Sequence, residues 1–391
     1  MQTAEKHLSE NKSKNITDNI TENDYAHWLF STPGIGNVSA DRLLCGGRTC
    51  REIYEMGEAE LKKLLRPKQV SAVLDSRYIW DFAEEKKKLA QSDIKFISRI
   101  DPRFPEKLKN IPNPPFAIYV KGELPGDDSP SVAVIGARLC SEYGRYMARQ
   151  LGRGLALAGV KVISGMARGI DGVSQKAALC AGGKSYAVVG CGADICYPDE
   201  NREIYEELSL NGGIISEYAP GTMPKASFFP MRNRIISALS DIVVVVEARL
   251  HSGTQITVDT ALEQGKEVLA VPGRVTDRLS DGCNRLICQG AGVVLDVDDV
   301  IERLASWNYR KDSLESSAGF EEERTGECVS HIEKAILDQL DAVPVSFSYI
   351  ADKLSMNGIN IAVPDLLKEL FDMCGKGLIT QTGSYYVKKF G

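Results

Sequence analysis

Between Val132 and Leu295 the chain alternates short apolar runs with longer stretches whose apolar positions recur at helical spacing. The runs Val132–Ile135, Val160–Ser164, Tyr186–Val189, Gly213–Ser216, Asp241–Glu247, Glu267–Val271 and Val293–Leu295 are too short for helices and carry their apolar residues consecutively. Consecutive apolar positions mark strands buried on both faces, and their alternation with helices predicts an α/β domain built on a doubly wound parallel sheet. Ligands of such sheets bind beyond the carboxyl ends of the strands, so those ends hold the candidate chemistry.

Outside this block the pattern changes. Residues 1–23 are polar and aperiodic, which predicts a disordered tail. From 24 to 90 the periodicity is helical: Tyr25, Trp28, Leu29 and Phe30 share a face, Pro33-Gly34-Ile35-Gly36 makes a tight turn, and Ser39–Leu44 begins a second helix. This is the outline of a helix-hairpin-helix. Its glycine turn either points amides at a phosphate or simply joins two helices, and the few flanking cations favour the second reading. Helical spacing continues over Glu58–Leu65 and Val70–Ala90, with Glu84–Lys88 as a solvated face. Closely spaced prolines between Ile94 and Gly122 exclude a long helix, and Ala117–Lys121 reads as an edge strand.

After the α/β core of residues 91–305, residues 306–330 are polar and read as a linker. In the last segment, 331–391, Ile332–Leu340, Phe347–Leu354 and Asp365–Phe371 have helical spacing, and a hairpin turning at Thr382-Gly383 follows. Three helices and a hairpin form a winged-helix pattern. The third helix carries Asp365, Glu369 and Asp372 against Lys368, which favours a protein contact over duplex DNA.

Composition narrows the function classes. A chain of 391 residues suits two or three domains, and 43% hydrophobic with 26% charged residues is ordinary for a globular protein. A net charge of -6 excludes a uniformly basic coat for nucleic acid, so any polyanion site must be a focused groove. No apolar stretch approaches the roughly 20 residues of a membrane span, and the N-terminus lacks a signal-type apolar segment, so a cytoplasmic protein without membrane contact is expected. The ten cysteines contain no CxxC pair, and Cys191/Cys196 and Cys283/Cys288 lack histidine partners, which points to buried thiols and no metal site.

The strand ends supply the candidate site. Gly136-Ala137-Arg138 follows the first core strand, Ser164 to Asp171 follows the second, and Gly190-Cys191-Gly192 follows the third, ahead of Tyr197-Pro198. Later segments add Lys225, Arg232, Asn233, Arg234, Ser252, Gly253 and Thr254. Glycines let a backbone approach a ligand closely, and helix starts present free N–H groups to an anion. The anion-binding set is therefore Gly136, Arg138, Gly165, Arg168, Gly169, Lys225, Arg232, Asn233, Arg234, Ser252, Gly253 and Thr254. Each arginine also has an ordinary alternative, Arg234 as the ion-pair partner of Glu217 or Glu247. Asp171 reads as a helix cap or turn brace, and Phe228 and Phe229 as stacking platforms or core.

Other chemistries fit less well. G-x-G-x-x-G is absent from GARLCSEYG, no acid follows the second core strand where a ribose would need one, and no Walker A lysine exists, which argues against dinucleotide binding and ATP hydrolysis. A nucleotide ribosyl hydrolase needs a carboxylate near the anomeric carbon, yet the first acid after Ser252-Gly253-Thr254-Gln255 is Asp259. The rim suits holding phosphate, with no catalytic residue and no cofactor expected.

The blocks SVAVIGARLCSEYG, VISGMARGID, GCGADICYPDEN, FPMRNRIISALSDIVVVVEA, SGTQITVDTALEQGKEVLAVPG and GCNRLICQGAGV together resemble the DprA/Smf family over about Asp101 to Leu295. Three positions depart from its pattern: Ser174-Gln175 replaces Ala-His, Ser252-Gly253-Thr254-Gln255 replaces SGS-Leu, and Cys283 replaces Thr or Ser before Asn284. The resemblance implies an extended Rossmann-like core, an N-terminal SAM or helix-hairpin-helix domain and a C-terminal winged helix. It further implies a non-enzymatic, dimeric mediator that protects incoming single-stranded DNA and loads the RecA recombinase in natural transformation. On that reading Arg138, Arg168, Lys225, Arg232 and Arg234 neutralise phosphates. The alternative is a ribosyl hydrolase on a related core.

Overall fold

The computed structural model describes residues 20–304, 331–340, 345–359, 361–382 and 385–388. The predicted tail up to residue 19, the linker 306–330 and the turn residue Gly383 lie outside the described residues.

The N-terminal part is six helices: α1 (Glu22–Ser31), α2 (Asn37–Leu44), α3 (Cys50–Glu55), α4 (Glu58–Leu64), α5 (Pro67–Ile79) and α6 (Phe82–Gln91). The folded chain starts earlier than the tail boundary at residue 23 allowed. Thr21 and Asp24 form a reciprocal capping box on α1, and the Asn23 amide donates to the Phe96 carbonyl at 2.9 Å and accepts from the Ser98 hydroxyl at 2.7 Å. Short polar residues that look disordered in sequence are thus cap and clamp. The helical pattern over 70–90 also divides, because Asp81 accepts from the Ala83 and Glu84 amides and starts α6 afresh. Trp28, Leu29, Leu43, Ile53, Leu61 and Val73 fill this part's core, and the Trp28 indole donates to Ser76 Oγ at 2.9 Å. Just past the glycine turn, Asn37 accepts from the Phe116 amide and donates to Glu217. This end of the hairpin is engaged in packing onto the sheet.

Nine strands form the central sheet: β1 (Ile94–Ser98), β2 (Ala117–Gly122), β3 (Ser131–Ile135), β4 (Lys161–Ser164), β5 (Ser185–Val189), β6 (Gly212–Ser216), β7 (Ile242–Val245), β8 (Glu267–Ala270) and β9 (Gly292–Val293). Their order is β1-β2-β6-β5-β4-β3-β7-β8-β9. Pairings from β6 through to β9 are parallel, while β2 is antiparallel to both β1 and β6. The edge-strand reading of Ala117–Lys121 is therefore corrected. Its residues are buried between β1 and β6, and β1 is the edge.

Side-chain alternation explains why both faces are covered. On β3, Val132 and Val134 join Leu151, Leu155 and Val162 on one face, while Ala133 and Ile135 join Ile235, Ile236 and Val245 on the other. Helices pack on each side, including α8 (Glu142–Leu157), α9 (Ile170–Cys180), α11 (Phe228–Leu239) and α12 (Gly253–Glu263), numbered with the short α7 (Glu106–Lys109) and with α10 (Arg202–Asn211) in chain order. The chain leaves β3 for β4, β5 and β6 on one side and returns for β7, β8 and β9 on the other. The strand order reverses at β3, where such sheets open a crevice.

In the C-terminal segment, helices His331–Leu337, Phe347–Met356 and Val363–Gly375 pack with a three-stranded antiparallel sheet of Val345–Ser346, Tyr385–Lys388 and Ile379–Thr382. Ile336, Ile350, Leu354, Leu366, Leu370 and Met373 form its core. No described helix is long and apolar enough to cross a membrane.

Candidate nucleic-acid interface

A cleft of about 850 Å³ opens above β3 and β7, at the reversal point. Its floor follows from glycine. Gly169 has φ 74, and a Cβ there would run into the carbonyls of Ala137 and Arg138, so the turn after β4 nests directly under the turn after β3. Gly165 likewise leaves room for the Arg232 guanidinium, which a Cβ would strike. Sequence glycines thus become close approach, and close approach carries Arg232 into the sheet edge.

Arg232 and Asp171 form the buried polar centre, 5% and 7% exposed. Arg232 donates to the Val188 carbonyl, and Asp171 accepts from the Gly165 amide at 3.1 Å. Burial pulls the Arg232 guanidinium down to about 10; Asp171 opposes that shift and the neighbouring positive charge of Arg138 adds to it. Burial pushes the Asp171 carboxyl up, against the attraction of Arg232 and the amides of Gly165 and Ala167. Asp171 therefore braces the turn and balances Arg232, while the second cation, Arg138, has no ion pair among the described residues.

Two aromatic and cationic stacks rise from this floor. Arg138 lies 5.2 Å from the Phe229 ring centroid, and Tyr197 stacks on that ring at 5.7 Å and 27°. Lys225 lies 5.4 Å from the Phe228 centroid, with Tyr218 stacked at 4.1 Å and 22°. Both phenylalanines are half-buried. On the opposite side Ser252 precedes α12, and Gly253 and Thr254 line the cleft at the helix start. The Ser252 hydroxyl is buried without a hydrogen-bond partner among the described residues.

The twelve expected residues separate by position. Gly136, Arg138, Arg232, Asn233, Ser252, Gly253 and Thr254 line the cleft together. Gly165 and Arg168 line a small adjoining recess shared with Arg138 and Arg232, and Gly169 lies beneath. Lys225 is exposed between Pro224 and Ala226, which line the rim. Arg234 leaves the set of free cations. It is 6% exposed and held by both Glu217 oxygens at 2.7 Å, so its charge is neutralised inside the protein. Arg168 is exposed but engaged bidentately by Glu200 at 2.5 and 2.6 Å.

Tyr197, Arg249 and Leu279 also line the cleft. Arg249 ends the apolar run of β7 and was detectable as a cation at a strand end, whereas Leu279 carries no sequence signal. The departures have structural roles: Gln175 accepts from the Met166 amide and donates to the Tyr186 carbonyl, both at 3.0 Å, and Cys283 is buried against the Val245 carbonyl with its thiol pushed up to about 12. Glu247, fully buried, accepts from the Ser141 amide and hydroxyl at the start of α8. Of the buried thiols, Cys50 and Cys191 are pushed up to about 12 and 11 by burial, while Cys45, Cys180 and Cys288 are exposed, unlike the expectation of buried thiols throughout.

Residues 95–305 match the family described as DNA recombination-mediator protein A. DNA processing protein DprA of Streptococcus pneumoniae is 41% identical over 204 residues, which cover 52% of this chain and 72% of that protein. Protein Smf of Synechocystis is 35% identical over 298 residues, covering 73% of this chain and 74% of that one. Among solved structures, that of the Streptococcus pneumoniae DprA superposes with a TM-score of 0.62 at 32% identity over 72% of this chain and 98% of that chain. A structure of DNA processing protein A from Helicobacter pylori, described for its single-stranded DNA binding mode, gives a TM-score of 0.50 at 31% identity, covering 56% and 97%. With the family pattern spanning more than half of its length, this chain belongs to the DNA recombination-mediator protein A family, the DprA/Smf proteins.

Proposed function

We propose that this protein binds single-stranded DNA across the cleft, without sequence preference and without chemistry, and delivers it to a RecA-type recombinase during uptake of foreign DNA. One observation carries the reading. Arg138 adds an exposed positive charge, without an ion pair among the described residues, beside the already buried Arg232, above a glycine floor and next to an aromatic face. A phosphate relieves that repulsion, and a base finds a stacking surface on the Phe229 and Tyr197 pair. The single-stranded DNA binding described for the Helicobacter pylori relative supports the same ligand.

Titration of the full chain with labelled single strands and duplexes of equal length tests this. Preferential single-strand binding that weakens with salt and is lost in Arg138→Glu supports it. Equal affinity for duplex, or full affinity in the variant, sinks it. Recombinase delivery is checked separately, by whether the DNA-bound protein accelerates filament assembly by purified RecA.

A hydrolytic reading rests on Asp171, an acid that lines the cleft with its carboxyl pushed up. Its amide contact with Gly165 and the electrostatic attraction of Arg232 support bracing instead. Release of free base from nucleoside monophosphates, abolished by Asp171→Asn, would overturn the non-enzymatic reading. We read the C-terminal segment as a winged-helix module for protein contact and the cytoplasmic protein as a homodimer. On the third helix of that module Val363, Leu367 and Phe371 are exposed at four-residue spacing beside Asp365 and Asp372, an apolar and acidic face ill-suited to a phosphate backbone.

A further inference from the structure

Three arginines outside the predicted set follow the ends of β7 and β8. Arg249 follows β7 and lines the cleft directly. Arg274 and Arg278 belong to the loop after β8 that delivers Leu279 to the same cleft. All three are exposed, and none has an ion pair among the described residues. The loop itself is held firmly. The Asn284 side chain both donates to and accepts from the backbone of Gly273, at 3.0 and 3.2 Å, and Asp281 accepts from the Leu250 amide at 2.8 Å, tying the loop to the segment that carries Arg249. The nearby acids Asp277 and Asp281 hold backbone amides, of Leu279 and Leu250, and neither is ion-paired to these arginines among the described residues, so three positive charges stand against two negative ones.

We infer that Arg249, Arg274 and Arg278 form a second cationic wall that carries the phosphate chain of a single strand onward, past the ends of β7 and β8. The inference rests on the single-stranded DNA reading of the cleft and extends its length. From β3 to β8 there are two interstrand steps in the sheet order. At about 4.8 Å each they add about 10 Å to the track, which is roughly three nucleotides at the about 3.4 Å spacing of a stacked strand. The wall is electrostatic, so its contribution follows salt, and it sits on hydrogen-bonded loop backbone, so it is preformed.

The test is a ladder of fluorescein-labelled oligo-dT from about 4 to about 16 nucleotides, spanning known single-strand site sizes, titrated against the full chain at several salt concentrations. For Arg249→Ala/Arg274→Ala/Arg278→Ala we expect affinity to stop rising about three nucleotides sooner, and the slope of log affinity against log salt to fall by about 2 on the longest strand. The corresponding triple lysine variant should restore the slope, and an unchanged melting midpoint shows that the fold is intact. Unchanged length dependence and slope in the triple alanine variant overturn the second wall. Equal loss on the shortest and longest strands in the double variant Arg274→Ala/Arg278→Ala also overturns it, because those two arginines would then belong to the central contact that Arg249 already lines. A wild-type chain that binds no single strand at any length removes the underlying reading, a result distinct from either.

Discussion

The floor and the rim of the cleft contain the same residue type in opposite situations. On the floor Arg232, and behind it on the same helix Arg234, are 5% and 6% exposed, the first attracted by Asp171 and the second held by Glu217. On the rim, Arg138, Lys225 and Arg249 are exposed and have no carboxylate partner among the described residues. A buried cation must be neutralised where it sits, because desolvation costs more than a distant ligand returns. An exposed one retains its hydration and can exchange it for phosphate. The floor should therefore govern folding and the rim binding.

The largest expected effect is on the floor. Arg232→Ala leaves Asp171 buried without its cation, and we expect urea unfolding to show a loss of about 3–5 kcal/mol. A variant as stable as wild type would break the contrast. Next comes a buried group far from the cleft. His27 is packed among Trp80, Phe96 and Tyr119, where α1 meets β1 and β2, and burial pulls its imidazole from 6.5 to about 4 despite Glu85 and Asp24 nearby. The unfolded chain takes up this proton below about pH 6.5 while the folded chain refuses it until about 4. Stability therefore falls as pH drops through that window, by about 3 kcal/mol. His27→Phe should flatten this limb in a pH series of melts; an equally steep limb would show that other groups produce it.

Smaller effects belong to the rim. Arg138→Ala should bind single strands about tenfold more weakly, as for the loss of a bond to a charged group, with an unchanged melting midpoint. A fall in stability with no change in affinity would reverse the assignment of Arg138 from rim to floor. The smallest concerns Arg168, exposed and paired to Glu200. Arg168→Ala should move neither the melting midpoint nor affinity beyond error, since such a pair is weak in water. A binding loss comparable to that of Arg138→Ala would show that DNA displaces Glu200 and that Arg168 belongs to the rim.

Local pattern carried much of the fold. Valine-rich runs became β3, β4, β5, β7 and β8 within a residue or two, because a strand buried on both faces needs consecutive apolar positions. The same logic failed for Ala117–Lys121, where proline neighbours suggested an edge and the antiparallel partner β6 made it interior. It failed also at Thr21 and Asn23, whose polarity reflects a cap and a clamp. Pairing partners distant in sequence leave no local trace.

For the candidate site, the residue sequence alone determined which strand ends would carry glycine and arginine, and hence that one sheet edge would favour an anion. Only the tertiary structure decided which arginines remain available. Glu217 reaches Arg234 across 17 residues and Glu200 reaches Arg168 across 32, whereas Arg249 receives no such partner among the described residues. The physical reason is that charge availability depends on burial and on acids brought near by folding. Side-chain identity is local, but the field around it belongs to the assembled chain.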